Sequence, residues 1–193
     1  MEIKNLLLVG VGGQGVILAS EMICAAAHGA GLDVKKSEVH GMSQRGGVVS
    51  SHVRYGEKVY SPLIQTGQAD IILAFESAEG LRFTHHLKPG GVIYASPLKI
   101  VPPIAGKKLK YPDNPLETIK SKGCNLVEID ADAIAVKLGN PRLANSVFLG
   151  ALSENSGIPL EAWEKAVDSL APKKTGPANL AAFAEGRAAA AKA

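Results

Sequence analysis

The feature that most constrains the fold is a glycine-rich turn near the start of the chain. Residues 6–23 read LLLVGVGGQGVILASEMI, so an apolar run gives way to glycines and apolar residues then return at helical spacing. This order predicts a buried strand, a tight turn and a helix. Because glycine has no Cβ atom, backbone N–H groups at such a turn can approach an anion at the positive end of the helix. The turn therefore predicts an α/β fold with a phosphate site beside the first strand.

The rest of the chain supports the same fold class. Short apolar strands alternate with amphipathic helices, which predicts an α/β fold with a Rossmann-like sheet. Residues 51–64, SHVRYGEKVYSPLI, alternate in polarity around a turn at Tyr55–Lys58 and predict a β-hairpin, so we expect a mixed sheet. Helical patterns dominate the second half and predict a C-terminal helical cover, whose alanine-rich end, Ala181–Ala193, is expected to fray. With 193 residues, 1–193 should form a single domain.

Composition excludes several classes of function. The net charge of +3 is spread along the chain, which gives no support for nucleic-acid or membrane-surface binding. No cationic leader and no long apolar run is present, so we expect a cytoplasmic protein. The two cysteines, Cys24 and Cys124, lack metal-ligand spacing and are expected to be reduced thiols, with no metal site.

A polar loop follows the predicted second strand. The segment Ser37–Gly56, SEVHGMSQRGGVVSSHVRYG, carries a cluster of hydrogen-bonding groups before the next strand begins. In an open α/β sheet this loop would lie at the carboxyl end of the second strand, beside the glycine turn. Arg45 could bind a phosphate through two parallel hydrogen bonds, and Ser43 and Gln44 could bind the phosphate or a ribose. The alternative is that Arg45 is a solvated loop cation.

The glycine turn alone also permits a nicotinamide cofactor. Such a site usually has an acidic residue at the end of the second strand, which binds the ribose. Glu38 is a candidate, although it lies slightly late in the sequence. A dehydrogenase also needs a proton donor near the hydride, and no such residue stands out.

Several motifs together resemble one known family. They are the turn GVGGQG, the loop EVHGMSQRGG followed by SHVRYG, the strand ADIILAFES, the helix NSVFLGAL and the closing NLAAFAEG. Over nearly the whole chain they resemble the gamma-type subunits of 2-oxoacid:ferredoxin oxidoreductases, in particular the small (beta) subunits of the indolepyruvate branch. The resemblance implies a thiamine-dependent oxidative decarboxylation of an aryl 2-oxo acid. Coenzyme A would receive the acyl group, and ferredoxin the electrons.

The chain cannot carry out that reaction alone. It has no Gly-Asp-Gly segment followed by paired asparagines for thiamine diphosphate, and two isolated cysteines cannot ligate an iron–sulfur cluster, which needs about four ligands. Thiamine diphosphate and the clusters must therefore lie on a larger partner subunit, which would pass electrons to ferredoxin.

The resemblance implies that the present chain supplies a coenzyme A site and no catalytic residue. The residues carried over are Gly12, Gly13, Gln14 and Gly15 from the turn, Ser43, Gln44 and Arg45 from the loop, and Asn145 at a helix start. Two alternatives stay open. One is a self-contained NAD(P)-dependent dehydrogenase, and the other is a non-catalytic scaffold subunit whose glycine turn is vestigial.

Overall fold

The computed structural model describes residues 2–40, 47–101 and 110–192, which form an α/β architecture around a six-stranded mixed sheet. Its strands are β1 (Lys4–Val11), β2 (Asp33–His40), β3 (Val48–Gly56), β4 (Ala69–Ala74), β5 (Leu87–Ala95) and β6 (Asn125–Glu128). Its helices are α1 (Val16–Gly29), α2 (Ser77–Arg82), α3 (Pro115–Ser121), α4 (Ala131–Lys137), α5 (Ala144–Ser156), α6 (Leu160–Leu170) and α7 (Gly176–Ala190). Short 3₁₀ turns cover Thr84–His86 and Pro141–Leu143.

The strand order is β2-β3-β1-β4-β5-β6. Strands β1, β4, β5 and β6 run parallel, so their carboxyl ends meet at one edge of the sheet. Strand β3 lies antiparallel between β1 and β2, and it pairs Val48 with Val11 at that same edge. The predicted mixed sheet is confirmed, and β2 is separated from β1 by a whole strand.

The structure corrects the position of the β-hairpin. The hairpin consists of β2 and β3, which pair from Asp33 opposite Gly56 to His40 opposite Val49. Residues 57–68, which include half of the predicted hairpin, form no strand. Because β3 already has a partner on each edge, it offers no free edge to them.

Side chains hold this irregular segment against the sheet. The Asp33 carboxylate accepts a hydrogen bond from the N–H of Val59 at 2.9 Å, and the Nδ1 atom of His52 accepts one from the N–H of Ile64 at 3.1 Å. Val59 and Ile64 are both buried. The alternating pattern thus arises from two apolar side chains that enter the core from a loop.

Two apolar layers enclose the sheet. Leu6 and Leu8 of β1 point to the larger core, which α1, α5, α6 and α7 cover, whereas Leu7 and Val9 point to a smaller core under α2 and α3. This alternation along one strand is the expected result of period-two side-chain geometry in a sheet covered on both faces. The predicted C-terminal helical cover is confirmed.

Most of the alanine-rich segment that was predicted to fray is packed helix. Helix α7 runs to Ala190 and buries Ala182, Phe183 and Gly186. A Cβ atom added at Gly186 would lie 1.9 Å from the carbonyl oxygen of Val147, so α7 packs on α5 at backbone contact distance. Close helix packing, rather than helix propensity alone, therefore orders the alanine-rich segment.

Candidate functional site

The glycine turn lies at the carboxyl edge of the sheet, between β1 and α1. Gly13 and Gly15 have positive φ angles of 104° and 76°, a region that favours glycine. A Cβ atom added at Gly13 would meet nothing within 4 Å, so the turn leaves open space above its backbone. Helix α1 has no acidic residue in its first turn and no capping side chain among the described residues. Its positive N-terminus is therefore available to an anion.

Gln14 is a structural part of this turn. Its Oε1 atom accepts a hydrogen bond from the N–H of Val11, and its Nε2 atom donates one to the carbonyl oxygen of Phe75, both at 2.7 Å. The side chain thus ties the end of β1 to the end of β4. The sequence predicts that Gln14 binds the ligand, and in the structure both ends of its side-chain amide fix the turn.

Asn145 lies directly on the turn, although it is distant in sequence. Its Nδ2 atom donates a hydrogen bond to the carbonyl oxygen of Gly15 at 3.1 Å. A Cβ atom on Gly15 would lie only 2.1 Å from that nitrogen. Gly15 therefore has two constraints, a left-handed backbone and a close side chain, and Asn145 anchors the start of α5 to the start of α1.

A cleft of about 490 Å³ opens over the turn. One end of the cleft is formed by the turn and Asn145, and one wall is formed by the apolar side chains of Phe75, Leu98 and Phe148. Two charged residues that sequence analysis missed, Asp132 and Arg142, also line it. The full lining comprises Gly13, Gln14, Gly15, Phe75, Leu98, Asp132, Pro141, Arg142, Ala144, Asn145 and Phe148. Four of the eight predicted site residues thus meet in one cleft.

The two charged residues come from different elements. Arg142 is exposed and lies in the 3₁₀ turn before α5. No carboxylate of the described ranges forms an ion pair with it. Asp132 lies in the first turn of α4, and the hydroxyl of Ser96 is 3.5 Å from its Oδ2 atom. Burial, with a contribution from the Asp130 carboxylate, raises the pKa of Asp132 above its ordinary value. The cleft thus contains a cation and a partly desolvated carboxyl group.

The polar loop approaches the turn at its carboxyl-terminal end. The N–H of Gly12 donates a hydrogen bond to the carbonyl oxygen of Gly47 at 2.8 Å, so Gly12 itself has no N–H left for a ligand. Ser43, Gln44 and Arg45 lie outside the described residues. Their assignment to the site stays a prediction.

Glu38 does not occupy the ribose position of a dinucleotide site. Its strand β2 is separated from β1 by β3. Its carboxylate forms an ion pair with Lys36 at 2.6 Å, and Lys36 also pairs with Glu21 of α1. The side chain is therefore directed to the α1 face of the hairpin, away from the cleft.

A buried carboxylate, that of Glu76, organises the margin of the cleft. Glu76 is 1% exposed, and it caps α2 by accepting a hydrogen bond from the N–H of Glu79. It also accepts hydrogen bonds from the N–H of Ile100 and the hydroxyl of Tyr111. The predicted surface loop Leu98–Asn114, of which 102–109 lie outside the described residues, is thus held at both sides by one carboxylate.

Other site chemistries find no support in the described ranges. They contain no group of three or more His, Cys, Asp or Glu residues that could hold a metal ion, and none of their helices is long and apolar enough to span a membrane. Both cysteines are free, and burial raises the pKa of the Cys24 thiol to about 11. Cys24 is therefore protonated and poorly nucleophilic at neutral pH.

Comparison with known proteins gives one consistent group. Residues 5–189 match the family model described as pyruvate ferredoxin/flavodoxin oxidoreductase. The chain is 38% identical to the indolepyruvate oxidoreductase subunit IorB of Thermococcus kodakarensis, over 95% of this chain and 94% of that protein. The gamma subunit of the keto/oxoacid ferredoxin oxidoreductase from Geobacter sulfurreducens superposes with a TM-score of 0.74 at 28% identity, over 98% and 99% of the two chains.

A larger protein contains the same fold. The 2-oxoglutarate:ferredoxin oxidoreductase of Magnetococcus marinus, solved with 2-oxoglutarate, coenzyme A and succinyl-CoA bound, superposes with a TM-score of 0.77 at 24% identity. The match covers 100% of the present chain and 32% of the other.

Proposed function

The chain belongs to the pyruvate ferredoxin/flavodoxin oxidoreductase family, and from this we propose that it is the small subunit of an oxidoreductase acting on indolepyruvate or a related aryl 2-oxo acid. It is a subunit of a 2-oxoacid:ferredoxin oxidoreductase. The near-full-length similarity to the Thermococcus indolepyruvate subunit supports the choice of substrate class.

Within that complex, the proposed role of this chain is to bind coenzyme A. The observation that carries this role is the open glycine turn at the uncapped N-terminus of α1, inside a cleft that also contains Arg142. Backbone N–H groups, a helix dipole and a guanidinium group are the donors that phosphates prefer. Coenzyme A would supply the thiol that receives the acyl group, and its phosphates would lie at the turn.

The residues of this chain would bind and orient, not perform redox chemistry. Gly13 leaves room for the phosphate, while Gln14 and Asn145 fix the turn in its left-handed conformation. Ser43, Gln44 and Arg45 would bind the phosphate or a ribose of the ligand from the adjoining loop, as the sequence predicts. Thiamine diphosphate and iron–sulfur clusters would be held by the larger partner subunit, which would reduce ferredoxin.

The test measures the coenzyme A requirement of the reconstituted complex. Gly13→Val adds a β-branched side chain to the open space above the turn. We expect the loss of charge-assisted contacts worth about 1.5–3 kcal/mol, which is about a ten- to hundredfold higher apparent coenzyme A requirement. Thiamine-dependent release of carbon dioxide from the 2-oxo acid should persist, because that step belongs to the partner. Arg45→Ala tests the loop in the same assay.

Gly67→Val is the matched control. Gly67 also has a positive φ, 75°, and open space around it, but it precedes β4 at the opposite edge of the sheet. Both variants therefore place a β-branched residue at a positive φ, and only Gly13→Val obstructs the cleft. Equal coenzyme A requirements in the two variants would refute a phosphate site at the turn and favour the scaffold alternative.

A dehydrogenase is the less favoured alternative. The inserted strand β3 and the ion pair with Lys36 remove Glu38 from the position that binds a nicotinamide ribose.

A further inference from the structure

The cleft contains a carboxyl group, that of Asp132, which is unexpected in a site for an anion. Asp132 lines the same cavity as Gly13, Gly15 and Arg142. A carboxylate at neutral pH repels a phosphate, and it does so more strongly where water is partly excluded. The side chain therefore lowers the affinity of the cleft for a simple polyphosphate unless it makes a compensating contact.

The surroundings of Asp132 leave it capable of such a contact. Ser96 Oγ lies 3.5 Å from its Oδ2 atom, at the long limit of a hydrogen bond, and Ser96 also accepts a hydrogen bond from the N–H of Leu98 at 3.0 Å. No Lys or Arg of the described residues forms an ion pair with Asp132. Burial raises its pKa, so its ionised form is poorly solvated and gains from a hydrogen-bond donor.

The position of Asp132 in the fold also supports a role in ligand binding. It follows β6, the parallel strand at the far side of the sheet, and its helix α4 begins at the carboxyl edge. In a dinucleotide fold the acidic residue that binds ligand hydroxyls comes from the second strand. Here β3 separates that strand from β1. The carboxylate in the cleft is that of Asp132, which follows β6 on the other side of β1.

We propose that Asp132 accepts a hydrogen bond from a hydroxyl or amino group of the ligand whose phosphate lies at the glycine turn. This inference rests on the proposed function and adds the ligand class that the cleft selects. That class is a nucleotide-like molecule with a donor some distance from its phosphate, rather than a bare polyphosphate. The apolar wall of Phe75, Leu98 and Phe148 would lie alongside the part of the ligand between the two groups.

The test compares coenzyme A with inorganic pyrophosphate as ligands of the purified full-length chain and of the reconstituted complex. Asp132→Ala removes the acceptor. Because a hydrogen bond to a charged group is lost, we expect the Asp132→Ala variant to bind coenzyme A about ten- to a hundredfold more weakly than the wild type. Pyrophosphate should bind as well as to the wild type, or more tightly, because a negative charge has been removed. Asp132→Asn, which keeps a carbonyl acceptor, should have an intermediate effect on coenzyme A.

Asp130→Asn controls for charge and for folding. Asp130 caps α4 by accepting a hydrogen bond from the N–H of Ala133 at 2.9 Å, a role that asparagine also performs, and it does not line the cleft. It should leave the ratio of the two affinities unchanged. If Asp132→Ala binds coenzyme A as tightly as the wild type, or gains affinity for both ligands, the inference is overturned while coenzyme A binding stands. If the wild-type chain and complex bind neither ligand, the proposed function itself fails.

Discussion

Replacement of Gly186 by alanine should strongly destabilise the protein. The new Cβ atom would lie 1.9 Å from the carbonyl oxygen of Val147, and a Cβ atom added at the reciprocal position, Gly150, would lie 2.0 Å from the carbonyl oxygen of Phe183. Backbone atoms cannot rotate away, so α5 and α7 must separate by roughly 1 Å or more, which removes dispersion contacts along their interface. The expected loss is about 3 kcal/mol of the free energy of unfolding, after helix propensity returns about 0.5–1 kcal/mol.

The same substitution elsewhere provides the control. Gly29, the last residue of α1, is exposed and would place a Cβ atom with nothing within 4 Å. Gly29→Ala should therefore leave stability unchanged or raise it by up to about 1 kcal/mol. Thermal and urea unfolding followed by circular dichroism measure both variants, and Gly186→Ala should lower Tm by about 6–12 °C. A Gly186→Ala protein as stable as Gly29→Ala would show that the two helices do not pack at backbone contact.

Two further predictions concern the glycine turn and His52 in the middle of β3. Gln14→Leu leaves the N–H of Val11 and the carbonyl oxygen of Phe75 without their side-chain partner, so urea unfolding should show a loss of about 1–3 kcal/mol; a wild-type midpoint would contradict the proposed fixing of the turn. Burial, and to a smaller extent His86, lowers the pKa of His52 in the folded state. As pH falls through about 6.5, the unfolded state therefore binds a proton more readily than the folded state, and stability is lost. The wild type should therefore lose more stability than His52→Gln between pH 7.5 and 5, and parallel stability curves would disprove this.

The fold was largely predictable because local patterns and tertiary structure agree. The predicted bounds of α1, Val16–Gly29, match the observed helix, since a glycine turn precedes it and the chain leaves it at a glycine. The misplaced hairpin shows where local patterns fail. Lys58–Ile64 has the polarity of a strand, but its backbone N–H groups bond to side chains of Asp33 and His52, contacts that no local pattern contains.

The candidate site was predictable where glycines marked the turn, and Asn145 was predicted from the family resemblance. The turn residues Gly13 and Gly15 carry a signal because few other residues adopt their backbone angles. Asp132 and Arg142 are single charged residues on separate elements, and only the tertiary fold brings them into one cleft. Asp132 could have been found by noting that it closely follows the strand-like segment 125–129, NLVEI, and that ligands bind at the carboxyl ends of strands in open α/β sheets.

The position of β3 between β1 and β2 also determines how the edge strand β2 can open. Strand β2 is joined to the sheet through β3 alone, so it can open locally without disturbing the ladder from β1 to β6. Residues 41–46 connect the two strands, and Gly47 at their carboxyl end is bonded to the turn through Gly12. A ligand held by both the turn and this connection would therefore also restrain β2. Occupancy of the cleft and slow amide exchange along β2 would then be thermodynamically linked.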